Sequence, residues 1–189
     1  MTQFYIDPIV HHGRPSDCSN RTEAECRCYA MLDALGIEYD RVDHDPAATI
    51  AICEQVDQVL GTEICKNLFL CNRQKTQFYL LLLRGNQVFH TKDLSKQLGC
   101  SRLSFASAED MKQYLGLLPG SASVLGLMND TAGRITLVID KRVAQQELWG
   151  CHPCINTASL RLRGKDILEK FLPAVQHSPI FVDLPEDEA

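Results

Sequence analysis

The chain has 189 residues, of which 45% are hydrophobic and 23% charged, and its formal net charge is -5. This length suits one domain with a sizeable core, and the composition is ordinary for a soluble globular protein. The acidic balance argues against a broad basic surface for nucleic acid, although it leaves room for a local basic groove. The sequence shows neither a signal peptide nor an apolar run long enough to span a membrane, so we expect a cytoplasmic protein.

The predicted elements follow one another in irregular order along the chain. Residues 1–20 contain two prolines and one glycine and predict an irregular arm. A capping box at residues 22–25 begins the first helix, and Gly36 ends it. The remaining patterns predict helices at 49–60, 91–98, 107–115, 143–148 and 165–172, and strands at 37–42, 62–71, 78–83, 102–105, 135–139, 155–162 and 180–182.

This order predicts an α+β fold with a mixed, curved sheet of about six or seven strands, surrounded by helices, because the strands and helices do not alternate strictly. No internal repeat or linker divides the sequence. We therefore predict one domain over residues 21–183. The irregular arm at residues 1–20 precedes it, and an acidic tail at residues 184–189 follows it.

A lysine and an amide, Lys66 and Asn67, stand at the head of the apolar run 68–71. Burying an unpaired ammonium group in a strand costs several kcal/mol, so Lys66 must be half exposed or face an anion. We hypothesise that Lys66 and Asn67 face a cleft that holds the end of a nucleic acid.

Nine cysteines are an odd number, and without a secretory signal they indicate reduced packing residues rather than a disulfide framework. The motif from Cys151 to Cys154 has the C-x-x-C spacing of redox centres, but it lies late in the chain and precedes an alternating, strand-like segment. A zinc site would need further thiols, with Cys26 and Cys28 or Cys65 and Cys71 as candidates, and no second C-x-x-C exists. His152, inside the motif, is either a core residue or a functional one.

The small residues at 120–123 resemble an anion-binding loop, because such residues let backbone N–H groups approach a ligand closely. Taken alone, the segment predicts only a turn. The sequence has no P-loop, no dinucleotide-binding glycine motif and no G-x-S-x-G elbow. We therefore expect no nucleotide cofactor and no hydrolase serine.

Four stretches occur together in a specific order and spacing. They are Lys66-Asn67-Leu68-Phe69-Leu70, then Arg102-Leu103-Ser104-Phe105-Ala106, then 120–123 with 126–130, and finally His152-Pro153 with Asn156-Thr157. Together they resemble the YbaK-like, aminoacyl-tRNA-synthetase-associated domain family, over about residues 22–182. The branch that they resemble most is the freestanding prolyl-tRNA deacylases. The resemblance implies a mixed sheet bent into a partial barrel.

The resemblance also implies an activity, the hydrolysis of the ester that joins a wrong amino acid to proline tRNA. Alanine is the expected amino acid, and cysteine is the alternative. A synthetase rejects a smaller amino acid poorly, because a missing methylene is worth only about 1–3 kcal/mol, so a second site has to remove the error. Two other functions stay open: a non-catalytic module that binds tRNA or a synthetase, and a redox or zinc protein.

The family pattern implies roles for individual residues. Lys66 would pair with a terminal phosphate or stabilise the developing negative charge, Asn67 would orient a hydroxyl or water, and His152 would bind the aminoacyl group or water. These three are the predicted catalytic residues. Predicted substrate-binding residues, some of them supplying backbone donors for the oxyanion, are Thr49, Gly120, Ser121, Ser123, Gly126, Asn129, Gly150, Pro153 and Asn156.

The resemblance implies the acceptor end of mischarged proline tRNA as the partner, with prolyl-tRNA synthetase as a further candidate, and no metal or cofactor. A local basic rim would grip the tRNA. Its candidate members are Lys66, Arg73, Lys75, Lys92, Lys96, Arg161, Arg163 and Lys165. Glu63 and Cys65 depart from the polar residues that many relatives carry before the lysine, and we expect Glu63 to pair with Lys66 or tune it.

Overall fold

The computed structural model describes residues 4–46 and 50–185, without the side chains of residues 50 and 51. The α-helices are α1 Glu23–Ala34, α2 Ile50–Leu60, α3 Thr91–Leu98, α4 Ala108–Leu115, α5 Lys141–Ala144, α6 Gly164–Asp166 and α7 Leu172–Ala174. A 3₁₀ helix spans Val124–Asn129, and a π-helical turn at Ile167–Phe171 joins α6 to α7. No helix in these ranges is long and apolar enough to cross a membrane.

The described strands form two sheets. The strands are β1 His11–His12, β2 Tyr39–Asp43, β3 Lys66–Asn72, β4 Phe78–Leu83, β5 Leu103–Phe105, β6 Ile135–Asp140, β7 Leu148–Cys151, β8 Ala158–Arg163 and β9 Ile180–Val182. The first sheet has the order β1-β2-β8-β7 and is antiparallel. The second has the order β5-β3-β4-β6-β9 and is mixed, because β6 runs parallel to both β4 and β9.

Strand β4 lies at the centre of the five-stranded sheet, and all six of its residues are buried. Leu80 and Leu82 belong to the main core, which also contains residues of α1 and the 3₁₀ helix. Leu81 and Leu83 belong to a second core on the other face, which contains Leu94 of α3. A sheet covered on both faces requires apolar residues at every position, which explains the unbroken Phe78–Leu83 run.

The two sheets meet at Gly150. Its carbonyl oxygen accepts a hydrogen bond from the Cys65 N–H at 2.8 Å, and its own N–H donates to the Glu63 carbonyl oxygen at 3.2 Å. A Cβ at position 150 would lie 2.6 Å from the Glu63 carbonyl oxygen and 2.7 Å from the Ile64 Cα, so only glycine permits this approach. The junction places β7, and therefore His152, beside the start of β3.

The α+β class and most predicted elements are confirmed. Strand β4 and helix α3 have the predicted limits, and Gly99 ends α3 in the left-handed conformation. At the head of α1, Thr22 accepts the Glu25 N–H as a capping residue. The Glu25 side chain, however, accepts hydrogen bonds from Arg21 and Tyr29 rather than closing the predicted box.

Other predictions were wrong. A helix was predicted over residues 143–148, whereas α5 ends at Ala144 and Leu148 begins strand β7. Pairing with β8 and the burial of Trp149 against Gly164 override the local helical preference. Residues 124–129, for which the sequence patterns predicted no helix, form a 3₁₀ helix. The single sheet of six or seven strands is replaced by sheets of four and five, neither of which closes, so the partial barrel is not confirmed. Within the predicted irregular arm, His11 and His12 pair with β2.

Replacing Gly150 by alanine should separate the two sheets locally. The added methyl group meets backbone atoms that cannot rotate away, so we expect a loss of about 1–3 kcal/mol in the free energy of unfolding. Thermal unfolding should show a melting temperature several degrees lower, and amide hydrogen exchange should show faster exchange of the Cys65 N–H. The Gly133→Ala variant is the control, because it adds a methyl group in open space and tests only a left-handed backbone. An unchanged melting temperature for Gly150→Ala would contradict the role of the junction.

Candidate functional site

A cleft of about 380 Å³ opens at the start of β3, beside the junction of the two sheets. Its walls come from β3, α2, the turn after β4, the end of β5 and the loop before the 3₁₀ helix. Four of the predicted site residues line it, namely Lys66, Asn67, Gly120 and His152. Residues far apart in sequence therefore meet in one concave surface, which is typical of a ligand site.

Lys66 is half-buried at the mouth of the cleft. Its Nζ donates a hydrogen bond to the Gln87 carbonyl oxygen at 2.6 Å. Partial burial lowers the pKa of Lys66, and the charge of nearby Glu63 acts in the opposite direction. An ammonium group has three N–H donors, so the single bond to Gln87 leaves donors for an anionic ligand. The structure thus gives Lys66 the half-exposed position that the sequence required.

Asn67, which lines the cleft, carries an unused buried acceptor. Its Nδ2 donates to the Cys65 carbonyl oxygen at 2.8 Å, while its Oδ1 is buried and has no hydrogen-bond partner among the described residues. An unsatisfied buried acceptor costs about 1–3 kcal/mol. A hydroxyl, a water or an ammonium group of a ligand would satisfy it, so this atom is a candidate ligand contact.

His152 is held in one tautomer. Its Nδ1–H donates to the Ala158 carbonyl oxygen at 2.9 Å and lies 3.3 Å from the Ser159 hydroxyl. Burial lowers the pKa of His152 to about 4, so the ring is neutral at physiological pH. Because Nδ1 carries the proton, Nε2 is a lone-pair acceptor. A neutral acceptor in a cleft suits a hydroxyl, a water or an amino group rather than a phosphate.

A second histidine, which sequence reasoning missed, supports the first. The His44 Nδ1–H donates to the Asp45 carbonyl oxygen at 2.7 Å, and the His44 Nε2 accepts from the Ser159 hydroxyl at 2.9 Å. Ser159 therefore lies between the two imidazoles and restricts the orientation of both. The sequence places His44 in a predicted turn, and no local pattern there distinguishes it from a surface histidine.

The loop at 120–126 offers fewer backbone donors than its sequence suggests. The N–H groups of Ser121 and Gly126 already donate to the carbonyl oxygens of Leu118 and Ser123, and the Leu125 N–H donates to the Ser123 hydroxyl. The N–H groups of Gly120 and Ala122 have no such partner among the described residues, and both residues line the cleft. They are the remaining candidates for oxyanion donors.

The other predicted substrate-binding residues support the cleft rather than line it. Asn129 donates to the Leu115 carbonyl oxygen at the end of α4, at 2.7 Å. The Asn156 amide lies close to Gly120, because a Cβ added at position 120 would lie 3.1 Å from the Asn156 Nδ2. Ser121 and Ser123 form hydrogen bonds within their own loop, and Gly126 packs against Leu117. Gly150 forms the sheet junction, and Pro153 is buried beside His152. Thr49 lies outside the described residues.

Three carboxylates give one side of the cleft a negative charge: Glu54 and Asp57 on α2, and Glu63 before β3. The Glu63 carboxylate accepts the Asn86 N–H at 3.1 Å and lies 3.5 Å from the Arg84 Nε. The Asp57 carboxylate accepts the Ile64 N–H at 3.0 Å. Burial, together with the charges of Glu63 and Glu54, raises the pKa of Asp57 to about 6. The cleft therefore combines a cationic mouth with an acidic side.

The C-x-x-C motif lacks the surroundings of a reactive thiol. Cys151 ends β7, and both it and Cys154 are buried. Burial raises the pKa of Cys151 well above its usual range, and a hydrogen bond to Cys154 together with burial raises that of Cys28. Thiolates are the reactive form, so these shifts oppose redox chemistry. Within the described part of the chain, no group of three metal-ligating side chains could hold an ion.

Comparisons with known proteins identify the family of this chain. A family model described as the aminoacyl-tRNA editing domain matches residues 44–170. The Prolyl-tRNA editing protein ProX of Acetoanaerobium sticklandii is 35% identical, over 80% of this chain and 92% of its own length. The Prolyl-tRNA synthetase associated domain-containing protein 1 of Mus musculus is 32% identical, over 86% of this chain and 95% of its own length.

One solved structure shares the fold. It is described as a candidate trans-editing enzyme for prolyl tRNA synthetase and superimposes with a TM-score of 0.62. The superposition covers 87% of this chain and 98% of that one, at 17% sequence identity. At that identity, the likeness supports the architecture of the two sheets.

The acidic side of the cleft should cost stability at neutral pH. Because the pKa of Asp57 is raised from 3.8 to about 6, the folded state binds a proton more readily than the unfolded chain, and stability falls as pH rises through this window. We expect Asp57→Asn to be more stable than the wild type at pH 7.5, by about 1 kcal/mol after allowing for partial exposure. The amide oxygen can still accept the Ile64 N–H.

Thermal unfolding from pH 4 to pH 8 measures this difference, which should shrink towards pH 4. Glu109→Gln, which removes an exposed carboxylate of α4 outside the cleft, should change the melting temperature little at any pH. A loss of stability in Asp57→Asn at pH 7.5 would show that the carboxylate charge stabilises the fold.

Proposed function

This chain belongs to the aminoacyl-tRNA editing domain family and is an aminoacyl-tRNA hydrolase, and we propose that it acts in trans on mischarged proline tRNA, with alanine as the amino acid that it removes. The observation that carries the proposal is the single cleft into which Lys66, Asn67, Gly120 and His152 converge. The names of the two relatives, both matched over more than nine-tenths of their length, support proline tRNA as the substrate and prolyl-tRNA synthetase as a functional associate.

The reaction requires positioning more than a strong nucleophile, because an aminoacyl ester is already activated. Water adds to the ester carbonyl carbon, the carbonyl oxygen becomes an oxyanion, and the bond to the ribose oxygen then breaks as that oxygen takes a proton. Lys66 Nζ and the free N–H groups of Gly120 and Ala122 are the donors available to the oxyanion. They are fixed in the folded chain before substrate arrives, so little reorganisation is needed.

Acceptors in the cleft suit the rest of the aminoacyl end. The Asn67 Oδ1 and the neutral His152 Nε2 would accept hydrogen bonds from the attacking water, a ribose hydroxyl or the amino group. The carboxylates of Glu54, Asp57 and Glu63 favour the positive α-ammonium group. Several other lining residues are apolar or small, which suits a side chain of the size of alanine. Cysteine, which is nearly as small, is the alternative amino acid.

Removing the Lys66 side-chain charge should abolish most of the activity. We expect Lys66→Ala to lower kcat for Ala-tRNA(Pro) hydrolysis by about 100-fold or more, because one preorganised donor to an oxyanion is worth that much. The melting temperature should stay within about two degrees of the wild type, since the side chain is half exposed. Lys112→Ala, which removes an exposed lysine of α4, is the matched control and should retain full activity.

Substrate preference is measured by incubating the wild type with proline tRNA charged with alanine, cysteine or proline. We expect rapid hydrolysis of the alanyl ester and survival of the prolyl ester. Faster cleavage of the cysteinyl ester would reassign the amino acid. Cleavage of none of the three would leave a binding module, and full activity of Lys66→Ala would rule out the proposed mechanism.

A further inference from the structure

We propose that a second groove, adjoining the cleft at Phe105, binds the phosphate backbone of the single-stranded 3′ end of the tRNA. We call it the β5 groove, and its lining includes Arg73, Gln74, Ser101, Arg102, Ser104 and Phe105. The inference rests on the proposed function, because it supplies the path by which the aminoacyl ester reaches Lys66.

The sheet brings the two arginines of the groove together. Strand β5 is the edge strand of the five-stranded sheet, and it pairs with β3 so that Leu103 lies opposite Asn72. Arg102 directly precedes β5, and Arg73 directly follows β3. Antiparallel pairing therefore places both residues at the same end of these strands, although 29 positions separate them in sequence.

The turn that carries Arg73 is well held. The Asn72 side chain accepts the backbone N–H groups of Thr76 and Gln77, at 2.9 and 3.2 Å, and donates to the Thr76 hydroxyl at 2.8 Å. Leu103, next to Arg102, is buried in the second core. Both arginines thus extend from a fixed backbone, so binding does not first have to order the chain.

The charge of the β5 groove is not compensated. Neither Arg73 nor Arg102 has a carboxylate partner among the described residues, and no lining residue is acidic. Neighbouring Lys75, by contrast, is paired with Asp110 at 2.7 Å. In a chain with a net charge of -5, two unpaired guanidinium groups in one groove of about 700 Å³ indicate an anionic ligand. Arginine matches phosphate geometry with two parallel hydrogen bonds.

Phe105 connects the β5 groove to the cleft. Its side chain lines both, and it is 62% exposed, which is unusual for a large apolar residue at the mouth of a polar groove. Its ring contacts Phe89 edge to face, with centroids 6.4 Å apart. An exposed aromatic ring between cations is the arrangement on which unpaired bases stack. The ring is therefore placed where a base would lie as the strand passes into the cleft.

The electrostatic pattern fixes the direction of the strand. Glu54, Asp57 and Glu63 make one side of the cleft unfavourable for phosphates while suiting an α-ammonium group. The β5 groove provides the opposite charge on the other side of Phe105. A ligand with an ammonium group at one end and phosphates behind it, as in an aminoacylated nucleic-acid strand, fits this sequence of charges.

The test compares two substrates. Full-length Ala-tRNA(Pro) carries the phosphates, and 2′(3′)-O-alanyl-adenosine carries the same ester without them. For Arg73→Ala and Arg102→Ala, we expect KM for the tRNA to rise about tenfold with little change in kcat, and the hydrolysis of alanyl-adenosine to stay unchanged. The slope of log(kcat/KM) against log salt should fall by about 0.7 for each arginine removed. Arg134→Ala removes an exposed arginine that lines neither surface and should change nothing.

The stacking role of Phe105 is tested by changing the shape of its side chain. Phe105→Leu should raise KM for the tRNA roughly tenfold, because leucine cannot stack, whereas Phe105→Tyr should restore it. If both variants behave alike, Phe105 does not stack on a base.

A binding assay distinguishes a failure of this proposal from a failure of the proposed function. Fluorescence anisotropy with a labelled single-stranded oligonucleotide needs no hydrolysis, so it reports on the β5 groove even if the wild type cleaves no proline tRNA. Weaker binding by Arg73→Ala and Arg102→Ala, with Arg134→Ala unaffected, supports the groove. Wild-type affinity for the oligonucleotide and wild-type KM for the tRNA in both variants would overturn it.

Discussion

The backbone contact between Gly150 and the segment Glu63–Cys65 is the constraint on which the site depends. Two sheets with separate hydrogen-bonding networks meet there through two backbone hydrogen bonds at 2.8 and 3.2 Å. Lys66 follows this contact on one strand, and His152 follows it on the other. Because a side chain at Gly150 would overlap backbone atoms, the distance between the strands is set by the absence of a Cβ. The spacing of Lys66 and His152 therefore rests on rigid backbone rather than on flexible side chains.

Burial then sets the protonation states that this chemistry needs. His152 is neutral because desolvation of its ring outweighs the favourable hydrogen bond to Ala158, and Ser159 and His44 maintain its orientation. Lys66 keeps access to solvent and to a ligand because it is only half-buried. The same low-polarity surroundings act on Asp57 in the opposite direction, since they disfavour its carboxylate. One environment thus yields a neutral acceptor, a cationic donor and a weakened acid within a single cleft.

An acidic protein that handles tRNA must confine its positive charge. Of the eight cations proposed for a basic rim, Lys66 alone lines the cleft. Three of the others, Lys75, Arg161 and Lys165, are paired with Asp110, Asp40 and Glu169. Such surface pairs contribute little to stability, but they neutralise cations that would otherwise attract phosphate groups. Arg73 and Arg102 are left unpaired at one groove, so a small number of arginines suffices to direct a polyanion to the site.

The sequence by itself determined the α+β class, the limits of β4 and α3, the family, and the identity of Lys66, Asn67 and His152 as the residues to examine. Those features depend on local periodicity, capping and an ordered set of short motifs, all of which are one-dimensional properties. The tertiary structure alone decided what depends on distant contacts. It showed that β7 is a strand, because pairing with β8 outweighs a helical pattern, and that the strands form two sheets rather than one. It also showed that Asn129 lies at a helix end, that His44 supports His152, and that Arg73 and Arg102 line one groove. Sequence spacing carries no information on such encounters, because they arise only when sheet pairing brings separate segments of the chain together.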